Sequence, residues 1–175
     1  MKILTVFTPT FNRANTLVRL YESLCRQTSD AFEWLIIDDG STDNTEDVVK
    51  TWLKEQKFPI RYIKKENGGL HTGYTTAIAN MNTELNVCID SDDYMPDDAV
   101  ESILSFWEKN RDNNYSGIIA LDMFENGEII GKKLPEQKSI TLSGYYYNGG
   151  KGDKKLIYRT EIMNKYPAYP EFKGE

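Results

Sequence analysis

The chain predicts an α/β fold: a mainly parallel sheet with helices on both faces and a small antiparallel addition near the C-terminus. Three observations carry this reading. From the start to about residue 110, short β-branched strands alternate with amphipathic helices, the pattern of crossovers in a parallel sheet. Two of those strands end in acid: Trp34-Leu35-Ile36-Ile37 runs into Asp38-Asp39-Gly40-Ser41, and Leu85 to Ile89 into Asp90-Ser91-Asp92-Asp93. Beyond residue 110 the pattern changes to strand signals flanking the tight-turn pair Asn126-Gly127.

Taken in order, Ile3 to Phe7 is the first strand, followed by the loop Thr8-Pro9-Thr10-Phe11-Asn12. Leu17, Leu20, Tyr21 and Leu24 recur at helical spacing, giving a helix that ends near Gln27. Glu33 to Ile37 is the second strand. Asp43 with Glu46 three residues on has the form of a capping box, opening a helix that carries Val48, Val49, Trp52 and Leu53. Ile60 to Ile63 is the third strand, and Asn67-Gly68-Gly69 breaks the chain before a helix from about Thr72 to Met81. Leu85 to Ile89 is the fourth strand. Pro96, Asp97 and Asp98 suit the first turn of a helix through Val100, Ile103, Leu104 and Trp107. Gly117 to Met123 and Glu128 to Ile130 read as a hairpin, residues 136–155 as a long aperiodic loop, Lys155 to Arg159 as a last strand and Thr160 to Tyr166 as a last helix. The whole is one domain, with residues 1–110 as a ligand-binding half and 111–175 as the start of a second half.

Composition narrows the function. The 175 residues carry 21 basic and 27 acidic side chains, a net charge of −6, which argues against a nucleic-acid surface. Cys25 and Cys88 fall in a predicted helix and a predicted buried strand and read as small core residues rather than a disulfide. No apolar stretch approaches the roughly 20 residues that span a bilayer.

The acidic strand ends point to chemistry. Adjacent carboxylates repel and resist desolvation, so a triplet such as Asp90, Asp92 and Asp93 asks for a positive partner. A hard divalent cation bound by oxygen supplies one, and the carboxyl edge of a parallel sheet is where such folds hold ligands. The structural alternative is that both ends are turns or helix caps, which also favour Asp, Ser and Gly.

The motifs Thr8-Pro9-Thr10-Phe11-Asn12-Arg13, Ile37-Asp38-Asp39-Gly40-Ser41-Thr42-Asp43, Glu66-Asn67-Gly68-Gly69 and Asp90-Ser91-Asp92-Asp93 stand in the order and spacing of glycosyltransferase family 2, which nearly the whole chain resembles. The resemblance implies a GT-A fold, a UDP-sugar donor, a Mn2+ or Mg2+ ion and inversion at the anomeric carbon. It assigns Asp92 to the metal, and Asp90 and Ser91 to the ribose or the metal's water shell. Asp93 goes to the donor sugar, or caps the next helix. Asp39 would accept the uracil N–H, with Asp38 orienting its loop. Thr8, Pro9 and Phe11 would line the base slot, although Phe11 also suits ordinary core packing. Arg13 would reach the base or a phosphate, or simply start a helix.

Gly68 and Gly69 would let backbone pass close to the donor. Here the chain departs from the commoner family pattern, with Leu70 in place of a basic residue and Thr75 in place of an asparagine. His71, the one histidine, remains as a contact near the ribose or diphosphate, or as a structural residue. The general base falls to Glu175, with Glu171 second, in a segment that reads as stopping short of an acceptor-binding part. The acceptor would be a hydroxyl of a glycan or lipid-linked saccharide in cell-surface polysaccharide synthesis. The setting would be cytoplasmic, at the inner membrane face, with peripheral membrane association allowed. Two rivals stand beside this reading. One is an inert nucleotide-sugar-binding or interaction module. The other is a sugar-nucleotide nucleotidyltransferase, which would normally place a Gly-rich basic loop after the first strand.

Overall fold

The computed structural model describes residues 2–137 and 139–170. Six strands form one sheet in the order β3-β2-β1-β4-β6-β5. The parallel part comprises β1 (Leu4–Thr10), β2 (Phe32–Asp38), β3 (Ile60–Lys64) and β4 (Leu85–Cys88). β6 (Lys154–Arg159) runs antiparallel to β4, and β5 (Gly117–Leu121) antiparallel to β6. The expected antiparallel addition is therefore part of the same sheet.

Between the strands lie α1 (Ala14–Cys25), α2 (Thr45–Glu55), α3 (Leu70–Asn80) and α4 (Ala99–Asn110). Side chains alternate across the strands, as the pleat requires. Leu4, Val6, Phe32, Trp34 and Ile36 face the larger core, packed with Leu17, Leu20 and Leu24 of α1, Val49 and Trp52 of α2, and Val100 and Trp107 of α4. Phe7, Leu35 and Ile37 face the other side, under Ala77 of α3 and Met81. An aromatic stack sets how α1 and α2 sit on the sheet. Tyr21 lies parallel to Trp52 at 4.3 Å between ring centres, and Trp34 is 5.7 Å from Trp52.

Several expectations change. β1 extends three residues into the expected loop, through Thr8, Pro9 and Thr10. Proline is tolerated there because β4 pairing ends at Phe7↔Cys88, leaving Pro9 paired only with β2. The Asp43–Glu46 capping box does not form. Asp43 accepts hydrogen bonds from the Thr45 N–H and hydroxyl and, across the fold, from the Ala14 N–H at the start of α1. Glu46 pairs instead with Lys50 and Lys64.

Pro96, Asp97 and Asp98 form the turn before α4 rather than its first turn, and Asp97 bonds Arg26. The strand expected to reach Met123 ends at Leu121, and its expected partner, Glu128 to Ile130, contributes only a bridge from Ile129 to Met123. The last helix, α6, is short (Thr160–Met163). The long loop is not structureless: it contains α5 (Leu142–Tyr147), capped by the Thr141 hydroxyl and anchored by buried Tyr145.

Candidate functional site

The parallel strands deliver their carboxyl ends to one edge, where the motif loops converge. At the β2 end, Asp38 is fully buried; its carboxylate accepts the Ser41 N–H at 2.7 Å and the Tyr62 hydroxyl. It orients the loop as expected, and burial together with Asp38 raises the Tyr62 phenol. Asp39 is 5% exposed. Its Oδ1 accepts from Lys65 Nζ at 2.6 Å and the Gly68 N–H at 3.0 Å, and its Oδ2 accepts from the Gly69 N–H at 2.7 Å. A carboxylate thus occupies the N-terminus of α3, where the helix dipole favours an anion.

The glycine pair serves this closure. Gly69 has φ +87°, in the left-handed region, and a Cβ on Gly68 would come within 2.9 Å of the Thr72 hydroxyl. The close approach is to the protein's own groups. The cation absent at Leu70 is supplied from the β3 end by Lys65, which also bonds Thr72 at 2.8 Å.

The β4 end is different. Asp92 is exposed and joins no salt bridge among the described residues. Asp90 and Asp93 share one cation, Lys155 Nζ, at 3.3 and 2.9 Å. Asp93 therefore caps no helix: α4 begins six residues later. Burial alone would lower the Lys155 ammonium, but its hydrogen bond to Asp93 and the charges of Asp90, Asp122 and Asp93 outweigh it and raise it. Asp122, just beyond β5, has its carboxyl raised chiefly by burial, opposed by Lys155 and reinforced by Asp93 and Asp153. The Cys88 thiol, pushed up to about 12 mainly by burial, lies just before the triplet.

The donor set suits a hard divalent cation. It offers oxygen alone, and the Asp90 and Asp93 side chains remain 55% and 48% exposed. Among the described residues no three His, Cys, Asp or Glu close into a ready-made cage. An ion that takes one or two carboxylates and completes its shell with phosphate and water needs no such cage.

The remaining expected residues divide. Phe11 and His71 are exposed at this edge, and so is Arg13, whose N–H bonds the Thr45 hydroxyl. Phe11, 46% exposed, is not core packing. Ser91 is buried. Pro9 packs beneath Gly73, with its ring carbon 3.2 Å from where a Cβ there would sit. Thr8 lies under the site rather than in its wall. It is fully buried, donates to the Ile89 carbonyl at 2.8 Å and accepts from the Trp34 indole at 3.0 Å. Glu171 and Glu175 lie outside the described residues; the last described aromatic, Tyr169, packs edge-on against Tyr74, 6.0 Å away.

Lys155, Lys65, Asp122 and Asn12 were not anticipated. Asn12 has φ +54° and accepts from the N–H groups of Thr42 and Asp43, tying the β1 loop to the β2 loop. An asparagine between an aromatic and a basic residue after a strand is the signal that would have flagged it.

A mainly parallel sheet with its acidic and glycine loops gathered at one carboxyl edge defines a GT-A-type domain. Residues 5–166 match glycosyl transferase family 2, and the chain belongs to that family. It is 34% identical over 100 residues to glycosyltransferase GlyA of Streptococcus pneumoniae, covering 57% of this chain and 14% of that protein. It is 26% identical over 170 residues to the poly(ribitol-phosphate) beta-N-acetylglucosaminyltransferase TarP of Staphylococcus aureus, covering 95% of this chain and 49% of that one. S. aureus TarS residues 1–349, solved with UDP-GlcNAc, shares the fold at a TM-score of 0.71 and 23% identity, over 94% of this chain and 47% of that one. The chain therefore spans half or less of these proteins.

Proposed function

We propose that this domain binds a UDP-sugar with a divalent cation and belongs to an inverting glycosyltransferase. The sugar would pass to a hydroxyl of a growing cell-surface glycan or glycolipid at the cytoplasmic face of the membrane. Among the described residues no helix is long and apolar enough to cross a membrane. The observation that carries the reading is the under-compensated triplet at the β4 end, set beside a glycine turn at one sheet edge. Family membership and the UDP-GlcNAc complex of TarS support the donor class.

Each group has a definable part. Phe11 and Asp39 would bound the slot for a flat base, with Pro9 packed behind it. Asp39 Oδ2 takes a single donor among the described residues, so a lone pair would accept a ring N–H. Asp92, with Asp90, would hold Mn2+ or Mg2+, which when bound stabilises the charge that grows on the departing diphosphate. Asp93 and His71 would face the sugar and phosphate. A carboxylate from the Glu171–Glu175 segment would take the acceptor proton, worth typically ~10²–10⁴ in rate. Packing of Tyr169 on Tyr74 brings the chain leading to that segment back onto α3.

Calorimetry with UDP, with and without Mn2+, followed by assay of UDP-sugar loss in the presence of acceptor glycans, tests this reading. Saturable, Mn2+-dependent UDP binding with sugar loss is expected. No UDP binding overturns the reading, and binding without turnover favours the inert module.

A further inference from the structure

We infer that Lys155 is a resident counter-ion of the triplet and links cation loading to nucleotide loading, so that the divalent ion binds well only once the diphosphate has arrived. The inference rests on the donor reading above and adds an order of events to it.

The geometry is specific. β6 runs antiparallel to β4 with Val87 opposite Ile157, which sets the start of β6 beside the end of β4. Lys155 enters the triplet from there, its Nζ 3.3 Å from Asp90 and 2.9 Å from Asp93. Its own side chain is 22% exposed while those of its partners are about half exposed. The strand start is held in place by Lys154, whose buried ammonium donates to the carbonyls of Ile130, Lys151, Gly152 and Asp153.

An ammonium and a dication cannot both be neutralised by the same two carboxylates without strong mutual repulsion at such distances. While Lys155 holds Asp90 and Asp93, only Asp92 is free to attract a cation. A diphosphate changes this. It offers the ammonium new anionic oxygens within reach of a flexible four-carbon stem, and the carboxylates are released together. By linkage, nucleotide must then strengthen cation binding as much as cation strengthens nucleotide binding. Lys155 is a positioning residue here; it reacts with nothing.

The probe is Mn2+ alone, titrated calorimetrically into the wild type, Lys155→Met, Lys155→Gln and Lys155→Arg. The neutral variants should bind Mn2+ at least about tenfold tighter, since a unit charge about 4 Å from a dication weakens binding by more than that factor even at the dielectric of bulk water. Saturating UDP should tighten Mn2+ binding strongly in the wild type and correspondingly less in the neutral variants, with Lys155→Arg following the wild type. Neutral variants within twofold of the wild type would overturn the inference, as would an arginine variant that behaves like the neutral ones.

A second measurement needs no variant. The Lys155 side-chain 15N resonance should stay put on adding Mg2+ and move on adding UDP with Mg2+; a resonance that ignores the pair is the contrary result. Should UDP fail to bind at all, the donor reading falls, and the Mn2+-only titration still decides the counter-ion role.

Discussion

At the end of β2, Asp38 and Asp39 are buried and their carboxylates accept from the protein's own donors, including three backbone N–H groups and an ammonium. At the end of β4, Asp90 and Asp93 share a single lysine, Asp92 joins no salt bridge among the described residues, and Asp90 and Asp93 stay about half exposed. The two sites are built from nearly the same letters. One uses its acids as internal fasteners for the loops and for α3; the other leaves them under-compensated. What separates an aspartate pinned by the protein from one left open is therefore how many donors the fold brings to it, and sequence neighbours do not reveal that number.

The comparison can be broken most directly by paired substitutions. Asp39→Ala strands the Lys65 ammonium and the two glycine N–H groups, and a loss of about 3 kcal/mol is expected, the scale of a buried pair deprived of one partner. Asp92→Asn should change stability by no more than ~0.5 kcal/mol, as at an ordinary surface position, and yet abolish Mn2+-dependent UDP binding. Urea denaturation and calorimetry measure the two effects. Equal destabilisation by the two changes would erase the distinction between the strand ends.

A smaller effect sharpens it. Thr8→Val keeps the side-chain shape but leaves the Trp34 indole N–H and the Ile89 carbonyl without their partner, and should cost roughly 1–3 kcal/mol in urea denaturation. Ile89 immediately precedes the triplet, so this variant should also weaken Mn2+-dependent UDP binding; unchanged affinity would show that the triplet is positioned without Thr8.

The smallest effect lies on the surface near the β2 end. Glu46 is lowered to about 2 by hydrogen bonds from Lys50 and Lys64 and by their charges. Its folded value lies below the ordinary 4.5, so its contribution is in place above pH 4.5 and drains away as the pH falls toward 2. Glu46→Gln should accordingly lower Tm slightly at neutral pH, match the wild type by about pH 2, and lose its effect in high salt, as thermal melts across pH would show.

Much of the architecture was legible because local signals and long-range packing agree in the first half. The apolar runs at Trp34–Ile37 and Leu85–Ile89 stop abruptly at acids, and both stops fall at the sheet edge. The helix faces at Leu17, Leu20, Leu24 and at Val49, Trp52 are those that pack on the sheet. Where the local signal was contrary, the reading failed. Pro9 argues against a strand unless the end of β4 is known. Asp43 followed by Glu46 mimics a cap, while the bonds Asp43 makes go to Ala14, far away in sequence. α5 was hidden because its one buried contact, Tyr145, sits in a run of three tyrosines that shows no period. Lys155 was beyond reach for a related reason. It meets Asp90 across 65 positions, and nothing local separates it from Lys154, which does an unrelated job.

That job has a consequence of its own. By gathering carbonyls from Ile130 and from residues 151–153 around one ammonium, Lys154 pinches the excursion between β5 and β6 shut at its neck. The segment beyond that neck joins the sheet through it. Evolution, or an engineer, can therefore lengthen, shorten or swap it while the sheet and the loops at its carboxyl edge keep their shape.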